Sequence, residues 1–395
     1  MLEPIECPGF EAAGMAAGIK KNGDFDLGLI RSCLPAVVAG VFTRNQVQAA
    51  PVLVSKARAA RGTARAVVVN SGNANCYTGD QGIVDAEKMA ALAAAEMKLP
   101  AEDVLVASTG VIGAPLPMEK IASSAPSLAS HLSSHGFEDF SRAIMTTDTV
   151  PKLVQRRAEI DGRTVTLVAA AKGSGMIRPD MATMLGFVCT DARLGAPLLQ
   201  QSLKEAVDRS LNRITIDGDT STNDMVLMMA NGASGVIVQA PDQHKIFQAL
   251  LNDLLSDIAH RLVQDGEGVT KVVRIMVQGA PSDAAAWRIA DTVAHSPLVK
   301  TAFFGEDANW GRIVAAVGRA GVPLDPHKID LYFGPVQIVN RGCWCGPEAE
   351  TRATAVLKQA EFSVTVDLNQ GRGTDSLLTC DFSLDYVRIN ADYRT

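Results

Sequence analysis

The segment at residues 172–191 constrains the fold most, because it joins a flexible bend directly to an apolar run. Its first part reads Lys-Gly-Ser-Gly-Met-Ile-Arg-Pro-Asp, and glycine and proline in this pattern are typical of a turn. The small pair Ala182-Thr183 follows, and residues 184–188 then form an apolar run that predicts a buried strand. The simplest interpretation is an ordinary turn that leads into the hydrophobic core.

A second interpretation of the same segment is chemical. A threonine hydroxyl behind a tight bend can attack the preceding carbonyl group, so that Thr183 becomes an amino terminus. Its free amine can then act as the base for its own hydroxyl, because an α-amino group titrates at about 7.7–8.0. Such a site functions without histidine, and none of the six histidines lies in the segments that carry motifs.

Composition indicates a soluble metabolic enzyme. The chain has 395 residues, of which 47% are hydrophobic, so it can bury a large core and is expected to form two domains. The net charge of -6 and the lack of a basic cluster argue against nucleic-acid binding. No apolar run approaches the roughly 18 residues that a membrane span needs, so we expect no membrane association.

The expected location is the cytoplasm. The sequence begins without a basic segment and an apolar segment of the kind that form a secretory signal. Seven scattered cysteines, an odd number, indicate reduced thiols. Cys343 and Cys345 form a close pair, but this spacing lacks the further ligands of a zinc site, so no metal is expected.

Strand and helix patterns alternate along the chain, which predicts an α/β fold. A helix predicted at residues 242–265 carries apolar side chains at intervals of four, from Ile246 to Leu262. A new strand begins after it, so the domains are predicted as residues 1–271 and 272–395.

The predicted strands are residues 36–42, 66–69, 104–107, 163–170, 185–190, 234–238, 272–277, 330–333, 361–367 and 378–385. The other predicted helices are residues 83–97, 197–212, 283–296 and 347–359.

Six further segments strengthen the chemical interpretation. They are Asn-Ser-Gly-Asn-Ala-Asn at 70–75, Ser-Thr-Gly-Val-Ile-Gly at 108–113, Thr-Thr-Asp-Thr at 146–149, Asp-Gly-Asp-Thr-Ser-Thr-Asn-Asp at 217–224, Gly-Glu-Asp-Ala-Asn-Trp-Gly-Arg at 305–312, and the last eleven residues. Together with residues 172–191 they resemble the ornithine acetyltransferase (glutamate N-acetyltransferase) family, in that family's order and over nearly the whole chain. The resemblance implies a layered α/β sandwich similar to the N-terminal nucleophile hydrolases, with a second α/β domain at the C-terminal end.

The resemblance also implies a reaction and its residues. The chain would cut itself between Ala182 and Thr183 into residues 1–182 and 183–395, and assemble as two α and two β chains. It would then move an acetyl group from N-acetylornithine to glutamate through Thr183. The oxyanion hole would come from the Thr109 hydroxyl and the Gly110 N–H. The substrate-binding residues would be Thr147 (with Thr146 and Thr149 as alternatives), Lys172, Thr183, Glu267, Asn390 and Thr395.

Several alternatives remain open at this stage. Water could replace glutamate as the acceptor, which would give an amidohydrolase or aminopeptidase. An uncut chain could instead be an amino-acid-binding protein without catalytic activity. No cofactor is expected, although acetyl-CoA is a possible second donor. Residues 217–224 look like a calcium loop but lack its glycine and glutamate, so they predict a turn beside the active site.

Overall fold

The computed structural model describes residues 4–178 and 184–392, which form a mixed α/β molecule with two sheets. The chain divides into two compact units. The first unit runs to Asn212 and also includes Asp219–Leu262, whereas the second comprises Arg213–Gly218 and the chain from Val263 onward. The predicted boundary at residue 272 and the predicted cut into two chains stay predictions.

In its described residues, the first unit contains eight strands and six α-helices. The strands are β1 (Phe10–Met15), β2 (Leu27–Phe42), β3 (Thr63–Asn73), β4 (Val104–Val111), β5 (Lys152–Ile160), β6 (Arg163–Lys172), β7 (Leu185–Thr190) and β8 (Met225–Ala230). The helices are α1 (Ala50–Ala59), α2 (Gly79–Met97), α3 (Met118–Ser130), α4 (Phe137–Ala143), α5 (Ala196–Arg209) and α6 (Pro241–Gln264), the last of which ends in the second unit.

These strands form one sheet in the order β4-β3-β2-β8-β7-β6-β5, with β1 paired to β2. The pairs β3–β4 and β7–β8 are parallel, and the others are antiparallel. Both faces of β3 are buried: Val67 and Val69 belong to a core that includes Phe187, whereas Val68 packs in a second core with Met89 of α2. The alternation of side chains along a strand therefore produces layers on both faces of the sheet.

As far as residue 392, where the description ends, the second unit contains a six-stranded sheet and five α-helices. Its strands are β9 (Val272–Ala280), β10 (Asp330–Phe333), β11 (Val336–Asn340), β12 (Cys343–Trp344), β13 (Glu361–Asp367) and β14 (Gly373–Cys380), in the order β12-β11-β10-β13-β9-β14. Its helices are α7 (Asp283–Ala294), α8 (Pro297–Phe304), α9 (Trp310–Gly318), α10 (Pro347–Leu357) and α11 (Leu384–Asp392). Valine, isoleucine and alanine side chains of β9 and α7 form the centre of its apolar core.

The expected class, a layered α/β fold with a second α/β unit, is confirmed. One predicted strand is wrong, and another ends earlier than predicted. Residues 234–238 form a turn with a single bridge to Arg193, because their backbone hydrogen bonds go to that residue and to the preceding loop. The strand predicted at 378–385 ends at Cys380, because the Ser383 hydroxyl accepts a hydrogen bond from the Tyr386 N–H and so starts α11.

Helix α6 shows where simple periodicity fails. Leu254, Ile258 and Leu262 are buried as predicted, but Ile246 is 42% exposed. A spacing of four residues exceeds the helical repeat of 3.6, so the row of side chains rotates by roughly 40° at each step. No helix within residues 4–178 and 184–392 is both long and apolar enough to cross a membrane.

Candidate active site

The predicted oxyanion residues lie within a strand rather than in a turn. Strand β4 continues to Val111, and its last residues pair with β3 through an irregular register around Gly72. Gly110 has a φ of 130°, and a Cβ atom there would lie 2.4 Å from the carbonyl carbon of Gly72. Only glycine fits this close approach of two backbones. The strand predicted at residues 104–107 therefore continues beyond its expected end, because pairing with β3 extends it through Thr109.

Buried amide side chains hold the ends of these two strands together. Asn70 donates to the Asn73 carbonyl oxygen at 2.8 Å and accepts from the Ser108 hydroxyl at 2.6 Å. The Asn223 side-chain amide donates to the carbonyl oxygens of Ala74 and Ser108, at 2.6 and 2.8 Å. Asn223 belongs to the segment predicted as a turn beside the active site, but the sequence alone did not indicate that it clamps β3 and β4. The Asn223 side chain thus holds the backbone of Ser108, the residue directly before Thr109.

Lys172 contacts Thr109. Lys172 is the last residue of β6, and its Nζ atom lies 3.4 Å from the Thr109 Oγ1 atom. Both residues are 9% exposed. The two residues are 63 positions apart in the sequence, and the sequence did not predict that they are in contact. The structure thus brings a predicted oxyanion residue and a predicted substrate-binding lysine together.

The segment around Thr147 pairs with the residues that follow Lys172. The hydroxyl oxygens of Thr147 and Ser174 are 2.6 Å apart. Asp148 accepts a hydrogen bond from the Gly173 N–H at 2.7 Å and forms a buried ion pair with Lys152 at 2.5 Å. These contacts connect Thr147 to the Lys172 strand end.

Asp148 stays ionised in spite of its burial. Burial opposes its charge, but the charges of Lys172 and Lys152 and the hydrogen bonds from Lys152 and Gly173 outweigh this effect. Together they lower the pKa of the Asp148 carboxyl to about 2. A fixed negative charge therefore lies beside the lysines of this cluster.

Asp224 behaves in the opposite way. It directly precedes β8 and is 4% exposed. Burial raises the pKa of its carboxyl to about 8, and hydrogen bonds from Ser221 and the charge of Lys172 oppose this only in part. The sequence did not single out this residue; its only signal is its place at the end of the polar segment 217–224.

The second unit contains two of the predicted binding residues, and they are in contact. The Asn390 side-chain amide donates to the Glu267 Oε2 atom at 2.9 Å. Glu267 is 9% exposed and lies in the turn that follows α6. Helix α11 approaches that turn closely, since a Cβ atom on Gly268 would lie 2.4 Å from the Tyr386 nitrogen. Two of the predicted substrate-binding residues, Glu267 and Asn390, thus form one polar group.

Three predicted residues, Ala182, Thr183 and Thr395, lie outside the described parts of the chain. The residue after Thr183 is Met184, whose carbonyl oxygen accepts a hydrogen bond from the Met225 N–H at 3.0 Å. Leu185 then begins β7 and pairs with Lys172 of β6. The described chain therefore resumes next to the Lys172 strand end.

A metal centre is not visible in the described ranges. They contain no group of three or more histidine, cysteine, aspartate or glutamate side chains arranged to hold an ion. The charged atoms of the site are lysine ammonium and carboxylate groups, which suit the carboxylate and ammonium groups of an amino acid. The hydroxyl of Thr109 and the backbone of Gly110, both near the end of β4, are the other polar groups of the site.

Comparisons with known proteins agree along the whole chain. A model of the ArgJ family matches residues 11–395. The arginine biosynthesis bifunctional protein ArgJ of Geobacter sulfurreducens is 51% identical over 389 residues, which are 98% of this chain and 99% of that protein.

Two solved structures are also similar. The arginine biosynthesis bifunctional protein argJ of Bacillus halodurans is 41% identical, covers 52% of this chain and 98% of its own, and has a TM-score of 0.50. The ornithine acetyltransferase of Mycobacterium tuberculosis, solved in complex with ornithine, is 39% identical, with coverages of 45% and 96% and a TM-score of 0.41. With a family model matched over residues 11–395 and a relative half identical over almost its full length, the chain belongs to the ArgJ family.

Proposed function

We propose that the chain is an acetyltransferase of arginine biosynthesis that moves the acetyl group of N2-acetylornithine to glutamate through an ester on Thr183. Membership of the ArgJ family supports this role, since curated relatives are named arginine biosynthesis bifunctional proteins. The observation that carries the proposal is the contact between Lys172 and Thr109 beside the start of β7. The described chain resumes at Met184, the residue after Thr183 in the sequence, and Leu185 pairs with Lys172.

Maturation is the first step of this proposal. The Thr183 hydroxyl attacks the Ala182 carbonyl carbon, the peptide C–N bond breaks, and an ester forms. Water then hydrolyses the ester and releases chains 1–182 and 183–395. The freed α-amine of Thr183 becomes the base for its own hydroxyl.

Acetyl transfer then takes two steps. The Thr183 oxygen attacks the acetyl carbonyl carbon of N2-acetylornithine while the α-amine takes the hydroxyl proton. The C–N bond breaks, and the ornithine amine leaves with that proton. The glutamate amine next attacks the ester carbonyl carbon and gives a proton to the Thr183 α-amine. The C–O bond breaks, and that proton passes to the Thr183 oxygen, which restores the hydroxyl. The Thr109 hydroxyl and the Gly110 N–H stabilise the oxyanion in both steps.

The charged groups account for the choice of substrates. Ornithine and glutamate share an α-carboxylate, which Lys172 binds with help from Thr147. The ornithine side chain ends in an ammonium group, which Glu267 binds together with Asn390, whose side-chain amide donates to the Glu267 carboxylate. Thr395 is the remaining proposed substrate-binding residue. Acetyl-CoA serves as a second donor in the bifunctional form of the activity.

The proposal also includes the subunit assembly and the cellular location of the protein. We expect an assembly of two α and two β chains and a location in the cytoplasm. The seven cysteines are all free thiols, which is consistent with a reducing compartment. No cofactor is needed, because each step uses only the chain and its substrates.

Mass spectrometry of the purified protein tests maturation and transfer together. The wild-type chain should give fragments of residues 1–182 and 183–395, and Thr183→Ala should give one uncut chain. After incubation with N2-acetylornithine labelled in its acetyl group and no glutamate, the label should appear on fragment 183–395. Cleavage of Thr183→Ala at the same bond would contradict self-processing, and an unlabelled fragment would contradict the ester intermediate.

A further inference from the structure

A second lysine lies beside the proposed oxyanion residues and is not among the proposed substrate-binding residues. A Cβ atom on Gly72 would lie 3.0 Å from the Lys20 Cγ atom, so the stem of Lys20 packs over the end of β3. Gly72 pairs with Gly110 of β4. The preceding residue of β4, Thr109, is the one that Lys172 contacts. Two lysine side chains therefore reach the same pair of strand ends.

A buried carboxylate holds the backbone of Lys20 in place. Asp26 is fully buried, and its two oxygens accept hydrogen bonds from the Ala17 N–H at 2.6 Å and the Lys20 N–H at 2.8 Å. The Asp26 carbonyl oxygen accepts a hydrogen bond from the Ser71 N–H at 2.9 Å, which joins this loop to β3. The backbone of Lys20 is thus fixed relative to β3, and the contact with Gly72 fixes the first part of its side chain.

The Lys20 ammonium group has donors that the protein does not use. Within residues 4–178 and 184–392 it makes one hydrogen bond, to the Phe25 carbonyl oxygen at 2.7 Å, and it forms no ion pair. Both oxygens of Asp26 already accept backbone N–H groups. Because an ammonium group has three donors, two donors of Lys20 are available to a ligand or to water.

The surrounding charges favour an added anion. Burial lowers the pKa of the Lys20 ammonium, and the nearby charge of Lys172 acts in the same direction. Three carboxylates, those of Asp26, Asp24 and Asp148, oppose these effects only in part. A carboxylate ligand at Lys20 stabilises its charged form, and a ligand with two carboxylates also offsets the repulsion between the two lysines.

The proposed substrates leave one charge without a partner. Glutamate carries two carboxylates, of which Lys172 binds one, and Glu267 has the wrong sign of charge to bind the other. We propose that the Lys20 ammonium binds the side-chain carboxylate of glutamate. This inference rests on the proposed function, which makes glutamate the acceptor. Ornithine ends in an ammonium group and gains nothing from Lys20, so this residue distinguishes the acceptor from the donor.

Steady-state kinetics separate the two substrates. In transfer through an ester, kcat/KM for N2-acetylornithine reports formation of the ester, and kcat/KM for glutamate reports its removal. Lys20→Met keeps an apolar stem but removes the ammonium group, so kcat/KM for glutamate should fall about tenfold. This is the low end for a charged hydrogen bond, because Lys20 is only partly buried. The value for N2-acetylornithine should stay within about twofold of the wild type.

Two further variants complete this comparison. Lys21→Met removes the charge of the adjacent, exposed lysine and should change neither value by more than about twofold. Lys20→Arg keeps a cation and should restore most of the activity with glutamate. An equal fall for both substrates in Lys20→Met would overturn the inference, because it indicates a structural role. Equal losses with glutamate in Lys20→Met and Lys21→Met would also overturn it, because they indicate a general effect of charge.

A measurement on the wild-type enzyme does not depend on the folding of any variant. The lysines of the mature enzyme are reductively methylated, and mass spectrometry of peptides gives the rate at each lysine. Saturating N-acetylglutamate, the product of the reaction, should slow methylation of Lys20 at least about fivefold and leave that of Lys21 unchanged. N-acetylglutamine, which lacks the side-chain carboxylate, should slow methylation of Lys20 less than about twofold.

The outcomes separate this inference from the proposed function. A wild-type enzyme that does not transfer acetyl groups from N2-acetylornithine to glutamate contradicts the proposed function itself. If the wild type does transfer them, an unchanged kcat/KM for glutamate in Lys20→Met overturns the role of Lys20. Absence of protection by N-acetylglutamate, or equal protection by N-acetylglutamine, overturns it as well.

Discussion

Each unit of the protein contains a buried lysine beside a threonine hydroxyl, and the two sites differ in what else they offer. In the second unit, Lys300 of α8 donates to the Thr379 hydroxyl at 3.1 Å and to the Cys380 carbonyl oxygen at 2.6 Å, and its Nζ atom lies 3.4 Å from the Cys380 sulfur. In the first unit, Lys172 has one hydrogen bond in the described residues, to Thr109 at 3.4 Å. The exposed fractions are similar, at 5% and 9%.

The difference indicates which lysine is structural and which is available to a ligand. An ammonium group has three donors, and a buried one needs partners for them. Lys300 finds three acceptors inside its own unit, so nothing is left for a substrate. Within residues 4–178 and 184–392, Lys172 has a single long hydrogen bond, and its remaining donors suit the carboxylate of an amino acid. A buried lysine alone therefore does not mark a binding site; an incomplete set of partners does.

The largest expected effect concerns the two threonines. Thr109→Val removes a hydroxyl with little change of shape, and kcat for acetyl transfer should fall by about a hundredfold or more, because an oxyanion donor is lost. Thr379→Val removes the matching hydroxyl beside Lys300 and should change kcat less than about twofold. Initial rates are measured per mole of fragment 183–395, so that incomplete cleavage does not distort the result.

Thr109→Ser is the control for this comparison. It keeps the hydroxyl and loses only a methyl group, so it should retain most of the wild-type kcat. If Thr109→Val and Thr379→Val lower kcat to the same small extent, the two hydroxyls are equivalent. In that case Thr109 only supports the strand, and the distinction between the two lysine sites fails.

Sequence patterns predicted the class of fold and most long elements, because these depend on local periodicity and apolar runs. The local pattern did not predict that β4 continues through Thr109, since this depends on pairing with the distant strand β3. Asn223 and Asp224 were also missed as individual residues. Asn223 donates to the Ser108 carbonyl oxygen, and the charge of Lys172 acts on the pKa of Asp224, and both Ser108 and Lys172 are far away in the sequence. Long-range contacts of this kind leave no periodic signal in one chain.

The next effect concerns binding of the substrate carboxylate. Lys172→Met keeps an apolar stem of similar length but removes the ammonium group. A hydrogen bond to a charged group contributes about 1.5–3 kcal/mol, so kcat/KM for glutamate should fall roughly 10- to 100-fold. Steady-state kinetics with varied glutamate measure this. Lys300→Met, the matched variant, should leave kcat/KM of the folded enzyme within about twofold of the wild type.

The smallest expected effect is on the free energy of unfolding. Here the substitution of Lys300 should have a larger effect than the substitution of Lys172. Lys300→Met leaves the Thr379 hydroxyl and the Cys380 carbonyl oxygen without their donor, in a region where Thr379 is fully buried. Unsatisfied buried acceptors cost about 1–3 kcal/mol, and the free energy of unfolding should fall by that amount. Among the described residues, Lys172→Met removes one long hydrogen bond and one of the two lysine charges that act on Asp148, whose carboxylate keeps its bonds to Lys152 and Gly173. The free energy of unfolding should therefore change by less than about 1 kcal/mol. Urea titrations of the mature proteins, followed by circular dichroism, measure both changes, and a larger loss in Lys172→Met would show that Lys172 is the structural lysine of the pair.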